Sequence, residues 1–300
     1  MSLAAHGGEQ RGPDSTAPPG GVNHTAPPEQ LPALAWLPAR EERPVAVALV
    51  VHGLNLEPTR MDALASLLRA RGVAVLRVAL AGHRGRSADF KRVSAELWRS
   101  ELTTAYAEAA ARARALDLPL YLVAFSLGAL VALESTGAQV EAARAGSLAA
   151  FDRAVLLAPA IALRPRVRLI ELLGALGPGF VVPSAAPEPY RANPGTTNAA
   201  YRALFDLESS LRDRGLAHAA APTLVLIDPE DELVSYQGLR RLIADEGLAR
   251  WSLIEVSNAG SDLEDKRHHL IVDAAAVGEV QWRQMTERIQ RHLGLGAPRP

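Results

Sequence analysis

The side chains that could do chemistry together here are a serine in a tight turn, a run of acids and two adjacent histidines. The serine is Ser126, in Ala124-Phe125-Ser126-Leu127-Gly128. Four apolar residues, Leu120-Tyr121-Leu122-Val123, precede this turn and suit a buried strand, while Gly128-Ala129-Leu130-Val131-Ala132-Leu133 after it suits a helix. A sharp strand-to-helix turn of this kind strains the serine backbone and lifts its hydroxyl above the sheet edge. Bulk two residues either side would collide with neighbouring backbone; Gly128 has none and Ala124 adds one methyl. A serine at a helix N-terminus also lies beside free N–H groups that favour a developing oxyanion. The same five residues equally describe a turn without chemistry, so the rest of the chain decides.

A serine hydroxyl is a poor nucleophile until an imidazole takes its proton, and that imidazole needs a carboxylate to orient it. Two stretches offer these groups. Asp228-Pro229-Glu230-Asp231-Glu232-Leu233-Val234 supplies the acids, and Lys266-Arg267-His268-His269-Leu270-Ile271-Val272-Asp273 supplies the histidines. A third, His52-Gly53-Leu54-Asn55, closes an apolar run and would bring the Leu54 N–H toward the serine, with Gly53 permitting the backbone path.

The elements that would position these groups alternate along the chain. Apolar runs at 45–51, 73–80, 120–123, 154–158, 223–227 and 251–256 read as strands, and the first is continuous enough to be covered on both faces. Helical spacing marks 60–71, 95–116, 236–246 and 274–293, and a short edge strand is expected within 31–37. Residues 139–151 are a small-residue segment with helical character. The pattern implies an α/β fold, a mostly parallel sheet with helices on both faces, whose ligands bind beyond the carboxyl ends of the strands. The serine, the acids and the histidines all fall at such ends, in that order. Residues 160–219 break the rhythm; they are too long for a plain loop and read as a small inserted cap with a helix at 198–214. Residues 1–29, rich in Pro and Gly, read as a disordered tail ahead of a single domain at 30–300, and its His6 and His24 as inert.

These residues resemble the α/β-hydrolase superfamily, and more narrowly its carboxylesterases and monoacylglycerol-lipase-like members. The resemblance runs from about 44 to 293 and rests on His52-Gly53, Gly82-His83, Trp98, the Ser126 turn, Asp231-Glu232-Leu233-Val234 and His268-His269-Leu270-Ile271-Val272-Asp273. It implies the α/β-hydrolase fold and a serine hydrolase acting on acyl esters through an acyl-enzyme. The family's acid precedes x-x-Val, which selects Asp231. Its histidine opens H-x-[LI]-x-x-D, which selects His268, with Asp273 capping or packing against the last helix. The Leu54 and Leu127 N–H groups form the implied oxyanion hole, with His52, Gly53 and Gly128 as site architecture, alongside His83 and Trp98. Three positions depart from the pattern: Ala124 replaces a glycine, Asp228 stands where a glycine is usual, and Arg84 interrupts Gly-His-Gly.

Composition narrows the alternatives. A formal charge of −1 gives no footprint for nucleic acid, and no apolar run reaches the length of a membrane-spanning helix. The absence of cysteine excludes disulfides, thiolate metal sites and a cysteine nucleophile. No metal or other cofactor is implied, since histidine and carboxylate spacing such as H-E-x-x-H is missing. His218 and His292 read as surface residues. The partner expected is a small acyl ester with a short or medium chain, held under the cap by 169–173 and 180–182. Thioesters and lipase-type substrates are the nearest alternatives, and a non-catalytic ligand-binding protein of the same fold is the alternative of a different class. As written the chain lacks a signal peptide's apolar core, which places it in the cytoplasm; a leader removed ahead of Met-Ser-Leu would make it exported or anchored. Nothing in the pattern sets an oligomeric state.

Overall fold

A computed structural model describes residues 30–142 and 151–296, with side chains described through 137 and again from 151. The expected tail at 1–29, with His6 and His24, and most of the segment at 139–151 lie outside the described residues. The sheet is built from β1 (Leu34–Leu37), β2 (Ala46–Val51), β3 (Val73–Val78), β4 (Leu120–Phe125) and β5 (Arg153–Leu157). A short pair, β6 (Val181–Pro183) and β7 (Gly195–Thr197), stands apart from it, and β8 (Thr223–Ile227) and β9 (Trp251–Glu255) complete it. The seven strands lie in the order β1-β3-β2-β4-β5-β8-β9. All neighbours are parallel except β1, which runs antiparallel to β3 at one edge.

Every residue of β2, β3 and β4 is buried, as continuous apolar runs require of strands covered on both faces. The period-2 geometry of a strand then divides the core. Val47, Leu49 and Val51 point into one apolar layer, and Ala46, Ala48 and Val50 into the other. The first layer is covered by α2 (Ala95–Ala115), α3 (Leu127–Ala142), α4 (Asn198–Arg214) and α5 (Tyr236–Asp245); Trp98, Leu130, Leu207 and Leu239 lie within it. The second is covered by α1 (Asp62–Arg69), α6 (Ala274–Val277) and α7 (Glu279–Leu293), through Leu64, Val277 and Ile289. Among the described residues no helix is long and apolar enough to cross a membrane.

The insertion between β5 and β8 divides into two parts. Its second part, α4, packs Ala200, Ala203, Leu207 and Leu211 into the main core, because its apolar residues recur at helical spacing on one face. Only the first part overhangs the sheet. It comprises a 3₁₀ helix, Pro165–Leu176, and the β6–β7 pair, and it leaves Leu169, Leu172 and Leu176 exposed. This overhang is fastened down at its far end. Arg60 Nε donates to Pro189 O at 2.7 Å, and Glu57 N donates to Tyr190 O at 2.9 Å.

Candidate active site

β4 ends at Phe125, and α3 begins at Leu127, so one residue must turn the chain. That residue is Ser126, whose φ of 49° lies in the left-handed region disfavoured for side chains other than glycine. The strain persists because the turn is fixed from both sides. Ser126 N donates to Leu157 O at 2.9 Å, and Ser126 O accepts from Ala129 N, Leu130 N and Ala160 N. Gly128 is required: a Cβ there would sit 2.5 Å from His52 O and 2.8 Å from Val51 O. A Cβ on Gly53 would meet the Phe125 ring at 2.6 Å and Ser126 Cβ at 3.1 Å. The β2 loop therefore runs directly against the serine.

The structure brings His269, not His268, to Ser126. His269 Nε2 lies 2.9 Å from Ser126 Oγ, and His269 Nδ1 lies 2.8 Å from Asp231 Oδ2. The other carboxylate oxygen of Asp231 accepts from Leu233 N at 2.7 Å and Val234 N at 2.8 Å. Burial pushes the Asp231 carboxyl up, but the neighbouring His269 and the two N–H groups outweigh it and hold the group below its ordinary value. An imidazole with a carboxylate on Nδ1 keeps Nε2 free to accept the serine proton.

His268 faces the other way. Its Nδ1 lies 3.0 Å from Asp228 Oδ2, with its side chain 33% exposed, and the hydrogen bond to Asp228 raises its pKa. The two histidines are consecutive in an irregular loop, so their side chains diverge, and only one can enter the cleft. Glu232 fixes which: its two carboxylate oxygens accept from His268 N at 3.0 Å and His269 N at 2.9 Å. The H-x-[LI]-x-x-D spacing that selected His268 counts positions without reading direction, and is corrected here by one residue. Asp228, Glu230 and His268 bring donor atoms within 4.8 Å of one another, the one metal-type cluster among the described residues.

Leu54 lines the cleft above Ser126, and Leu127 opens α3, where the first N–H groups have no intrahelical acceptor. The loop bearing Leu54 is held by two buried histidines. His52 Nε2 accepts from Leu80 N at 3.0 Å, and its Nδ1–H donates to Gly53 O at 2.8 Å. His83 Nε2 accepts from Asn55 N at 2.9 Å. Burial lowers the His52 pKa to about 4 and that of His83 well below its ordinary value, so both act as neutral struts. Trp98 Nε1 donates to Ala81 O at 3.0 Å and completes this support. Asn55 was not singled out from sequence. Its amide bonds both backbone groups of Asn193, accepting from the N–H at 2.9 Å and donating to the carbonyl at 3.0 Å. The partners are 138 residues apart, and neither carries a pattern that announces the pairing.

Asp273 caps α6, its Oδ1 accepting from Ala276 N at 2.9 Å and from Tyr190 Oη at 2.8 Å. His218 and His292 are half-buried rather than on the surface, each bonding a main-chain carbonyl, Leu133 O and Pro222 O.

A cleft of about 330 Å³ opens over Ser126 and His269. Its walls are mostly apolar: Leu54, Phe125, Leu163 and Leu204 contribute, with Val167, Ile170, Val182 and Tyr190 from the overhang. Of the segments expected to hold an acyl chain, Ile170 and Val182 face the cleft, while Leu169 and Leu172 point to solvent.

Comparison with known proteins finds relatives of this fold. Residues 48–280 match the model of the alpha/beta hydrolase family. The fold resembles a soluble variant of monoglyceride lipase from Saccharomyces cerevisiae in complex with a substrate analogue, at 13% identity and a TM-score of 0.68, over 91% of this chain and 97% of that one. It resembles the monoacylglycerol lipase of Paleococcus ferrophilus at 20% identity and a TM-score of 0.62, over 86% and 98% of the two chains. Est1E from Butyrivibrio proteoclasticus, with ferulic acid bound, aligns at 17% identity and a TM-score of 0.57, over 87% of this chain and 95% of that one. A 107-residue stretch is 33% identical to the 2'-dehydrokanamycin reductase of Streptomyces kanamyceticus, covering 33% of this chain and a quarter of that protein's length (25%).

Proposed function

The chain belongs to the alpha/beta hydrolase family, and within it we propose a serine hydrolase that cleaves carboxylic esters of short or medium acyl chains through an acyl-enzyme. The observation that carries this reading is the unbroken hydrogen-bonded chain Ser126–His269–Asp231, opening into an apolar cleft. In this mechanism His269 takes the Ser126 proton as Oγ attacks the ester carbonyl. Asp231 holds the imidazole in the required tautomer and stabilises its charged form. The N–H groups of Leu54 and Leu127 receive the oxyanion, an interaction worth about 3–4 kcal/mol per donor in related chemistry. His269 then protonates the leaving alcohol, and water repeats the sequence to free the acid. A volume near 330 Å³ is at the small end for ligand pockets, which favours short and medium chains over long ones.

The test is hydrolysis of p-nitrophenyl esters from acetate to palmitate, with Ser126→Ala beside wild type and labelling by a fluorophosphonate probe. Turnover that peaks at short or medium chains, with an inert and unlabelled Ser126→Ala, supports the reading. Absence of both turnover and labelling in wild type would leave a non-catalytic ligand-binding protein.

A further inference from the structure

We propose that Arg267 is an anion-docking group, so that the ester taken by this cleft carries a carboxylate away from its scissile bond; this rests on the hydrolase reading above. The cleft is lined by two formally charged side chains besides His269, namely Glu232 and Arg267. Glu232 is already engaged, both its oxygens accepting from the main-chain N–H groups of His268 and His269. Arg267 is not. Among the described residues its guanidinium makes no ion pair and no hydrogen bond, and its Nε is shut off from solvent without an acceptor.

An unsatisfied buried donor on a cation is costly, and native structures seldom leave one without a use. Other partly buried arginines have partners: Arg99 meets Glu134, Arg84 meets Glu101 and Arg77 meets Asp62, while Arg164 donates to the carbonyls of Asp231 and Pro229. Arg267 thus stands in a mostly apolar wall without a hydrogen-bonded acid of its own. The two Nη groups at the tip of a guanidinium form a pair of N–H donors that matches the two oxygens of a carboxylate, with the enclosed Nε behind them. Arg267 opens the turn that delivers His269 to Ser126, with Leu270 N donating to Arg267 O at 3.0 Å. A substrate bound by its carbonyl at Ser126 and by a distant carboxylate at Arg267 is held at both ends. Hemiesters of dicarboxylic acids, or esters of a carboxylated alcohol, have that chemistry.

The experiment compares mono-4-nitrophenyl suberate with 4-nitrophenyl octanoate, which share acyl length and differ by the terminal carboxylate. The readout is the ratio of kcat/KM for the two esters in wild type, Arg267→Gln and Arg267→Lys. The ratio is expected to fall about ten- to a hundredfold in Arg267→Gln, through KM rather than kcat. Lysine, a point charge without the fork, is expected to recover part of it. An equal ratio in wild type and Arg267→Gln overturns the inference while leaving the hydrolase reading intact. Calorimetry separates the two readings completely. Suberate hemiester is titrated into Ser126→Ala with and without Arg267→Gln, and docking at Arg267 requires at least tenfold weaker binding in the double variant, whether or not wild type turns over any ester. Equal affinities overturn it.

Discussion

Replacing each of the adjacent histidines in turn separates the geometry from the sequence spacing. His269→Ala removes the only imidazole within hydrogen-bond reach of Ser126 Oγ among the described residues, where Nε2 stands at 2.9 Å. It also strands Asp231, a fully buried carboxylate that loses its imidazole partner but keeps the Leu233 and Val234 N–H groups. Loss of the base in triads of this kind costs a factor of about 10⁴ to 10⁶ in kcat, or roughly 5 to 8 kcal/mol of transition-state stabilisation. His268→Ala removes a side chain that is 33% exposed and whose partner, Asp228, retains bonds from Glu230 N and Asn258 N. One bond between a partly exposed imidazole and a buried carboxylate that keeps two other donors contributes about 1–3 kcal/mol to stability, and since His268 does not bond Ser126 its loss is expected to change kcat less than about fivefold. The assay is kcat/KM on p-nitrophenyl butyrate, with the fluorophosphonate labelling rate as an independent report of Ser126 nucleophilicity. If His268→Ala falls by more than a hundredfold while His269→Ala retains near wild-type rates, the assignment of His269 is wrong and the sequence spacing was right.

Further expectations follow from neighbouring contacts. Asp231→Asn preserves shape but allows the His269 tautomer to invert, so kcat should drop by about 10⁴ with little change in KM, whereas Asp228→Asn should stay within severalfold. His52 titrates at about 4 in the folded protein, against an ordinary value of 6.5 for the unfolded chain. Between those values the unfolded chain binds more protons, so stability is full above pH 6.5 and falls as the pH drops through this window. Of the order of 2 kcal/mol should be lost between pH 7 and pH 5. Urea unfolding at the two pH values should show that loss, and a His52→Gln variant should show a visibly flatter dependence. Gly128→Ala forces a methyl to within 2.5 Å of His52 O. It is expected to cost about 1–3 kcal/mol and to lower kcat, read from the melting temperature and the butyrate assay; a fully active, equally stable variant would contradict so close an approach.

The strands were legible because burial on both faces writes itself as a continuous apolar run. Ala46–Val51 cannot be half-exposed without placing Val47, Leu49 or Val50 in water. Ser126 was legible for a related reason, since the turn demands small residues at fixed offsets and Gly128 supplies one. The boundary of the overhang was harder to read. The stripe along α4 is apolar whichever surface it covers, so the same pattern suits a lid and a core helix. The histidine was misread because a loop has no period to say where a side chain points. Arg267 and the Asn55–Asn193 link were invisible, as they depend on what is, or is not, beside them in space.

The acid loop explains why one residue of error was easy to make. Asp228 and Asp231 are three apart, and each meets one of two consecutive histidines, so the protein contains two Asp–His pairs side by side. By sequence order either could serve the serine. The distinction is made by Glu232, whose carboxylate spans the His268 and His269 N–H groups and fixes the path of the loop. With that path set, the first imidazole is directed outward over Asp228 and the second inward, its ring 5.0 Å from that of Phe125 in the strand that carries Ser126. Which imidazole reaches Ser126 is thus a main-chain effect exerted by a residue that touches neither imidazole nitrogen. Glu232→Ala should therefore lower kcat by loosening His269, with partial rescue by glutamine, which keeps one acceptor. A rescue no better than alanine's rate would mean that the loop holds its course without the clamp.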